Sequence, residues 1–245
     1  WGFTTDAPHV PDAETLSALL PLVDCETLTV TAPASGQDGS ACLAPGQAVD
    51  LGGIAKGYAS DAVEAALRRN SAERAVVYLG GNVLVLGAKA DGSPWRVAVQ
   101  DPEDSAAYAG ILSLTDAFAV TSGGYQRWFE ENGVRYQHIL DPKTGCPAES
   151  GLTSVTVVAA ANGPDYTSET PAPGRGALCD ALSTALFVMG EEQAIDFWRT
   201  SAYDFELVLV TEDGRVLVTE GLSDCFEQTE GSAYRYESIP RADEA

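Results

Sequence analysis

Apolar and polar positions along the chain change their repeat several times, and each change marks an element. In PDAETLSALLPLV (11–23), Leu16, Leu19 and Leu20 recur at helical spacing behind a Pro-Asp start, which predicts a short helix. LTVTA (28–32) reads as a strand, and the Ser-, Gly- and Pro-rich stretch 33–46 as a loop. Ala59, Ala62, Val63, Ala66 and Leu67 form one stripe, predicting a helix over 57–69 that ends in basic residues. RAVVYLGGNVLVLGA (74–88) predicts two buried strands broken at Gly80-Gly81-Asn82. WRVAVQ (95–100), ILSLTDAFAVTSGG (111–124), VRYQHIL (134–140) and TSVTVVAA (153–160) add further strands. Helices are predicted from about Asp180 to Met189 and from Glu191 to Arg199, ahead of a hairpin, FELVLVTEDGRVLVTEGL, turned at Glu-Asp-Gly. Residues 161–176 read as an exposed loop excursion and 232–245 as a loose tail. Strands outnumber helices and do not alternate with them one for one. The expected class is therefore α+β, with largely antiparallel sheets packed with helices, in one domain over residues 1–245.

Charge narrows the partners. The chain carries 14 Lys and Arg against 36 Asp and Glu, a formal charge of −22, which repels nucleic acid and anionic lipid at long range. No nucleic-acid partner is expected, and a phosphate ligand must be held by local donors or by a metal. No apolar run is long enough to predict a transmembrane segment. The five cysteines, Cys25, Cys42, Cys146, Cys179 and Cys225, form no CxxC pair and no zinc-ligand spacing. The chain opens on Trp1 with no leader in view, so it reads as processed or trimmed.

Four stretches carry candidate chemistry. In DLGGIAKGYASD (50–61), Gly52 and Gly57 have the offset of a Walker A loop, but Tyr58-Ala59 stands where Lys-Ser/Thr should follow. What remains is a glycine turn into a helix, able to offer backbone N–H groups and carbonyls to an anion or its metal. A tight turn with a solvated Lys56 fits the same residues. In CDALSTALFVMG (179–190), Asp180 and Thr184 are one helical turn apart on one face, hard oxygen donors that suit Mg²⁺. Asp180 as a plain N-cap is the simpler alternative. In YQHILDPKTGCP (136–147), His138 precedes an Asp-Pro-Lys-Thr-Gly turn, and His9, the only other histidine, lies in a polar N-terminal segment. His138 is thus the better candidate for proton transfer near neutral pH, although a lone histidine is more often a structural hydrogen-bonder than a base. VTSGGYQRWF (120–129) suits a loop closing over a flat or phosphorylated ligand, or an ordinary turn with core aromatics.

The order of these stretches is more telling than any one of them. DLGGIAKGY, LGGNV, TSGGYQR, HILDPKTGCP and DALSTALFVMG together resemble the FAD:protein FMN transferases, the ApbE-like flavin transferases, from about residue 50 to 190. The resemblance implies an enzyme that takes FAD and Mg²⁺, attaches FMN through a phosphoester to a threonine or serine of a target protein, and releases AMP. It implies a metal held at Gly53, Asp180 and Thr184, and FAD contacts at Asp50, Lys56, Tyr58 and Thr121. His138, with Asp180, becomes the candidate for activating the acceptor hydroxyl. Such enzymes usually act outside the cytoplasm, often as lipid-anchored proteins. The family also carries a sizeable segment ahead of the Trp-Gly-Phe that opens this chain, and that segment contributes FAD contacts. Cys146, within the catalytic turn, is expected to be silent. Two alternatives use the same residues: an FAD pyrophosphatase giving FMN and AMP, and a silent FAD-binding module.

Overall fold

The computed structural model describes residues 1–34, 38–161 and 174–241. Among them, the helices are α1 (Ala13–Leu19), α2 (Ala55–Arg69), α3 (Arg175–Met189) and α4 (Glu191–Thr200). The strands are β1 (Thr29–Thr31), β2 (Ser40–Cys42), β3 (Ala75–Leu79), β4 (Asn82–Leu86), β5 (Trp95–Gln100), β6 (Tyr108–Leu114) and β7 (Ala117–Gly123), followed by β8 (Trp128–Glu131), β9 (Val134–Gln137), β10 (Leu152–Ala160), β11 (Glu206–Thr211), β12 (Arg215–Thr219), β13 (Phe226–Gln228) and β14 (Arg235–Ile239). The class is α+β, as the pattern predicts. Contacts divide the chain into two units, Trp1–Leu51 with Arg127–Pro147, and Gly52–Gln126 with Ala148–Ala245.

The first unit holds α1, the β1–β2 ladder and the β8–β9 hairpin, both antiparallel. Its core is aromatic: Trp1, Phe3, Phe129 and Tyr136 have ring centroids 5.3–6.4 Å apart. The Trp1 indole donates to the Gly145 carbonyl at 2.6 Å, and the Val10 amide donates to Glu131 at 2.9 Å, tying the chain start to the later segment.

The second unit is built on a seven-stranded sheet ordered β14-β12-β11-β10-β7-β4-β3, antiparallel except for the β12–β14 pair. The run LTSVTVVAA makes β10 a central strand buried on both faces. On one face, Val85, Ala119, Val158, Val208 and Val210 pack with Val99 and Leu112 from the three-stranded sheet β13-β6-β5. The opposite face carries α3, ten of whose residues are buried, which is why its sequence is apolar nearly all round. Gly190, at φ +81°, ends α3 and opens α4.

Several expectations need correction. The helix expected over 57–69 starts at Ala55, and the one expected from Asp180 starts at Arg175, so residues 174–176 cap and begin a helix rather than a loop. Residues 162–173 of the expected excursion lie outside the described residues. Part of the stretch expected as a loop, Ser40–Cys42, is β2. The stretch 120–129 is not one loop: it completes β7 and begins β8. The expected loose tail contains β14, paired in parallel with β12, while 242–245 lie outside the described residues. These strands are short or polar, and pairing with a neighbour rather than alternation sets them.

Candidate functional site

The glycine turn ahead of α2 and the crossing of α2 on α3 create the main constellation of the second unit. Gly57 lets the helices approach until a Cβ there would lie 2.6 Å from the Gly176 carbonyl carbon and 2.7 Å from the Asp180 Cβ. At that crossing the Gly57 N–H donates to Asp180 Oδ2 at 2.8 Å, and Lys56 Nζ sits 3.5 Å from Asp180 Oδ1. The Asp180 side chain is 3% exposed and that of Lys56 41%, so a buried carboxylate is balanced by a helix-start amide and a movable ammonium. Asp180 is therefore not an N-cap. That position belongs to Gly174, and Asp61 secures the start of α3 by accepting the Gly176 and Ala177 N–H groups at 2.7 and 2.9 Å. Burial nevertheless pushes the Asp61 carboxyl above its ordinary value, outweighing those two bonds.

One turn further, Thr184 Oγ1 lies 3.6 Å from where a Cβ on Gly53 would stand, and 3.0 Å from Ser122 Oγ on β7. Ser122 also meets Ser183 Oγ at 2.8 Å, and Ser183 donates to the Asp180 carbonyl at 2.9 Å. Gly53, Lys56, Asp180 and Thr184 thus converge. Tyr58 is exposed on α2. Thr121 faces the other side of β7, where its hydroxyl meets that of Thr156 at 2.8 Å in a cleft of about 80 Å³ with Tyr78, Tyr125 and Gln126. The β7 hydroxyl that meets α3 is that of Ser122.

Asp50 and His138 belong to the first unit. Asp50 is exposed at its end. The His138 amide donates to the Arg127 carbonyl at 3.1 Å, and Nδ1 lies 3.0 Å from the same oxygen. A carbonyl only accepts, so Nδ1 carries the proton and Nε2 is the basic nitrogen of the neutral ring. The turn after it is closed by Gly145 N–H donating to the Asp141 carbonyl at 2.8 Å and by Asp141 Oδ1 accepting from Lys143 N at 2.8 Å.

Sequence reading missed Ser122, Ser183 and Asp61. Asp61 closes the stretch DLGGIAKGYASD and sits four residues after Gly57 on one helix face, a signal that was available. Among the described residues no group of three His, Cys, Asp or Glu side chains is placed to hold a metal, and no helix is long and apolar enough to cross a membrane.

Residues 1–209 match the family model described as the ApbE family. The chain is 34% identical over 217 residues to a FAD:protein FMN transferase of Vibrio cholerae serotype O1, covering 87% of this chain and 59% of that protein. It is 34% identical over 235 residues to a FAD:protein FMN transferase of Treponema pallidum, covering 91% of this chain and 61% of that one. Among solved structures, the ApbE protein of Thermotoga maritima aligns with a TM-score of 0.71 at 31% identity, over 94% of this chain and 66% of that one. The flavinyl transferase ApbE of Pseudomonas stutzeri aligns at 0.67 and 31%, over 94% of this chain and 62% of the other. The chain thus spans about six-tenths of the length of these curated relatives.

Proposed function

Because the chain belongs to the ApbE family, we propose that it transfers the FMN part of FAD to a threonine or serine hydroxyl of a target protein and releases AMP. The observation that carries this reading is the convergence of Gly53, Lys56, Asp180 and Thr184 around one buried carboxylate in a protein of net charge −22. Asp180 and Thr184 offer a carboxylate and a hydroxyl one turn apart on α3, and the family resemblance adds the Gly53 carbonyl. That set fits Mg²⁺, which commonly keeps water and phosphate oxygens as its other ligands. When bound, Mg²⁺ would neutralise charge on the pyrophosphate.

The chain's own groups account for the rest. Lys56, half-exposed and next to the carboxylate, is the local cation for a phosphate. On the family resemblance, His138 is the base that takes the proton of the acceptor hydroxyl as its oxygen bonds to the FMN phosphorus. The bond from that phosphorus to the bridging oxygen breaks, and AMP leaves with it. The glycine turn and Asp180 hold the site's geometry. We further propose an extracytoplasmic, lipid-anchored setting for the full-length protein, which rests on the family alone.

The test is intact mass spectrometry of a threonine-bearing acceptor domain incubated with this chain, FAD and Mg²⁺, with Asp180→Ala and His138→Ala alongside. A metal-dependent gain of one FMN that both substitutions abolish is the expected result. FMN and AMP accumulating without labelled protein would replace the transferase with a pyrophosphatase, and bound FAD without turnover would leave a binding module.

A further inference from the structure

Asn82 opens β4, is 1% exposed, and neither its Nδ2 nor its Oδ1 has a hydrogen-bond partner among the described residues. Strand alternation sets its direction. Gly81, Val83, Ala119 and Thr121 line the cleft on one face of the sheet, so Asn82, Val120 and Ser122 point to the other. That other face carries α3, because Ser122 bonds Ser183 and Thr184. Asn82 lies directly opposite Val120, and the next residue of β7 on that face is Ser122. Gly80, at the start of the same turn, faces α2: a Cβ there would lie 3.9 Å from Lys56 Cδ. The amide therefore sits on the face that holds Thr184 and Ser122, beside the turn crossed by the stem of Lys56.

A buried carboxamide with both ends unpaired weakens a fold, and an apolar side chain of similar shape would serve the core better. Asn82 is a poor residue for folding and a good one for binding. A neutral donor suits this place. It needs no counter-charge in an acidic chain, and an N–H donated to a phosphate oxygen is a charge-assisted bond. We propose that Asn82 is a phosphate-binding residue of the site, its Nδ2 donating to a phosphate oxygen of the flavin nucleotide that Lys56 faces. The movable neighbour is Lys56, whose stem turns with its ammonium from Asp180 towards the phosphate and opens the way to the amide. This inference rests on the flavin-transferase reading.

The test titrates FAD, FMN and riboflavin, by flavin fluorescence in Mg²⁺, against the unsubstituted chain, Asn82→Leu and the shape-conserving Asn82→Asp, with urea unfolding of each. Asn82→Leu is expected to unfold at the same or a higher urea concentration, to bind FMN and FAD roughly tenfold more weakly, and to bind riboflavin unchanged. Asn82→Asp, which turns a carboxylate towards the phosphate, should lose more FMN affinity and leave riboflavin alone, and it serves if Asn82→Leu does not fold. Unchanged FMN binding in both variants overturns the inference, as does an equal loss for FMN and riboflavin, which would place the amide against the ring. If the folded unsubstituted chain binds neither FAD nor FMN, the proposed function itself fails and this assignment falls with it.

Discussion

Gly57→Ala tests whether the α2–α3 crossing sets the position of Asp180. The added Cβ would overlap the Gly176 carbonyl oxygen and stand 2.6 Å from its carbon and 2.7 Å from the Asp180 Cβ. Carbon–carbon contacts settle near 3.5–4.0 Å, so the helices must separate by about 1 Å. No rotamer relieves a clash with backbone. Overpacking of this kind costs about 1–3 kcal/mol, against about 0.5–1 kcal/mol returned by alanine over glycine inside a helix. Separation also stretches the 2.8 Å bond from Gly57 N–H to Asp180, and a buried donor left without it costs about 1–3 kcal/mol more. The expected net loss is about 2–4 kcal/mol in urea unfolding, with weaker Mn²⁺ or Mg²⁺ binding by titration calorimetry because the Asp180 carboxylate is displaced. A variant as stable as the parent would refute the tight crossing, and one that is destabilised but binds the cation equally would detach Asp180 from it.

Two further outcomes follow from the same packing. Asp61→Ala removes the acceptor of the Gly176 and Ala177 N–H groups and should cost about 1–2 kcal/mol, the range for a lost helix cap; hydrogen exchange at those two amides should rise, and unchanged protection would rule the cap out. Burial raises the Glu206 carboxyl above its ordinary value, with Oε2 unpaired among the described residues, so the folded chain holds that proton more tightly than the unfolded one. The stability tied to Glu206 is then fully present below the unfolded value, about pH 4.3, and is lost as pH rises through the folded value. Glu206→Gln should therefore gain on the parent at neutral pH and lose that advantage near pH 4; an offset equal at both pH values would sink the argument.

Elements whose own residues decide their state were legible in the sequence. The β3–β4 hairpin could be read from two apolar runs around Gly80-Gly81, which adopt φ of +53° and +98°, the left-handed turn such pairs favour. β10 could be read from its β-branched run. The start of α3 could not, because the group that secures it, Asp61, is 115 positions from Gly176. β2 and β14 were hidden for a related reason: their register is set by β1 and β12, and neither carries a strong apolar alternation of its own.

The same division runs through the site. Asp180 and Thr184 were legible as a pair because one helical turn is a local relation, and the structure keeps them together beside Gly53 and Lys56. Ser122 was not, because its relevance depends on which face of the sheet α3 covers. Family resemblance selects the stretch TSGGYQR but not the face, and in a strand a shift of one residue reverses the direction of the side chain. That single step separates Thr121, bonded to Thr156 on the cleft side, from Ser122, bonded to Thr184. A ligand held at Asp180 and Thr184 would meet Ser122 on that face, and one that also contacts Thr121 must reach the opposite face of the sheet, where Thr121 bonds Thr156.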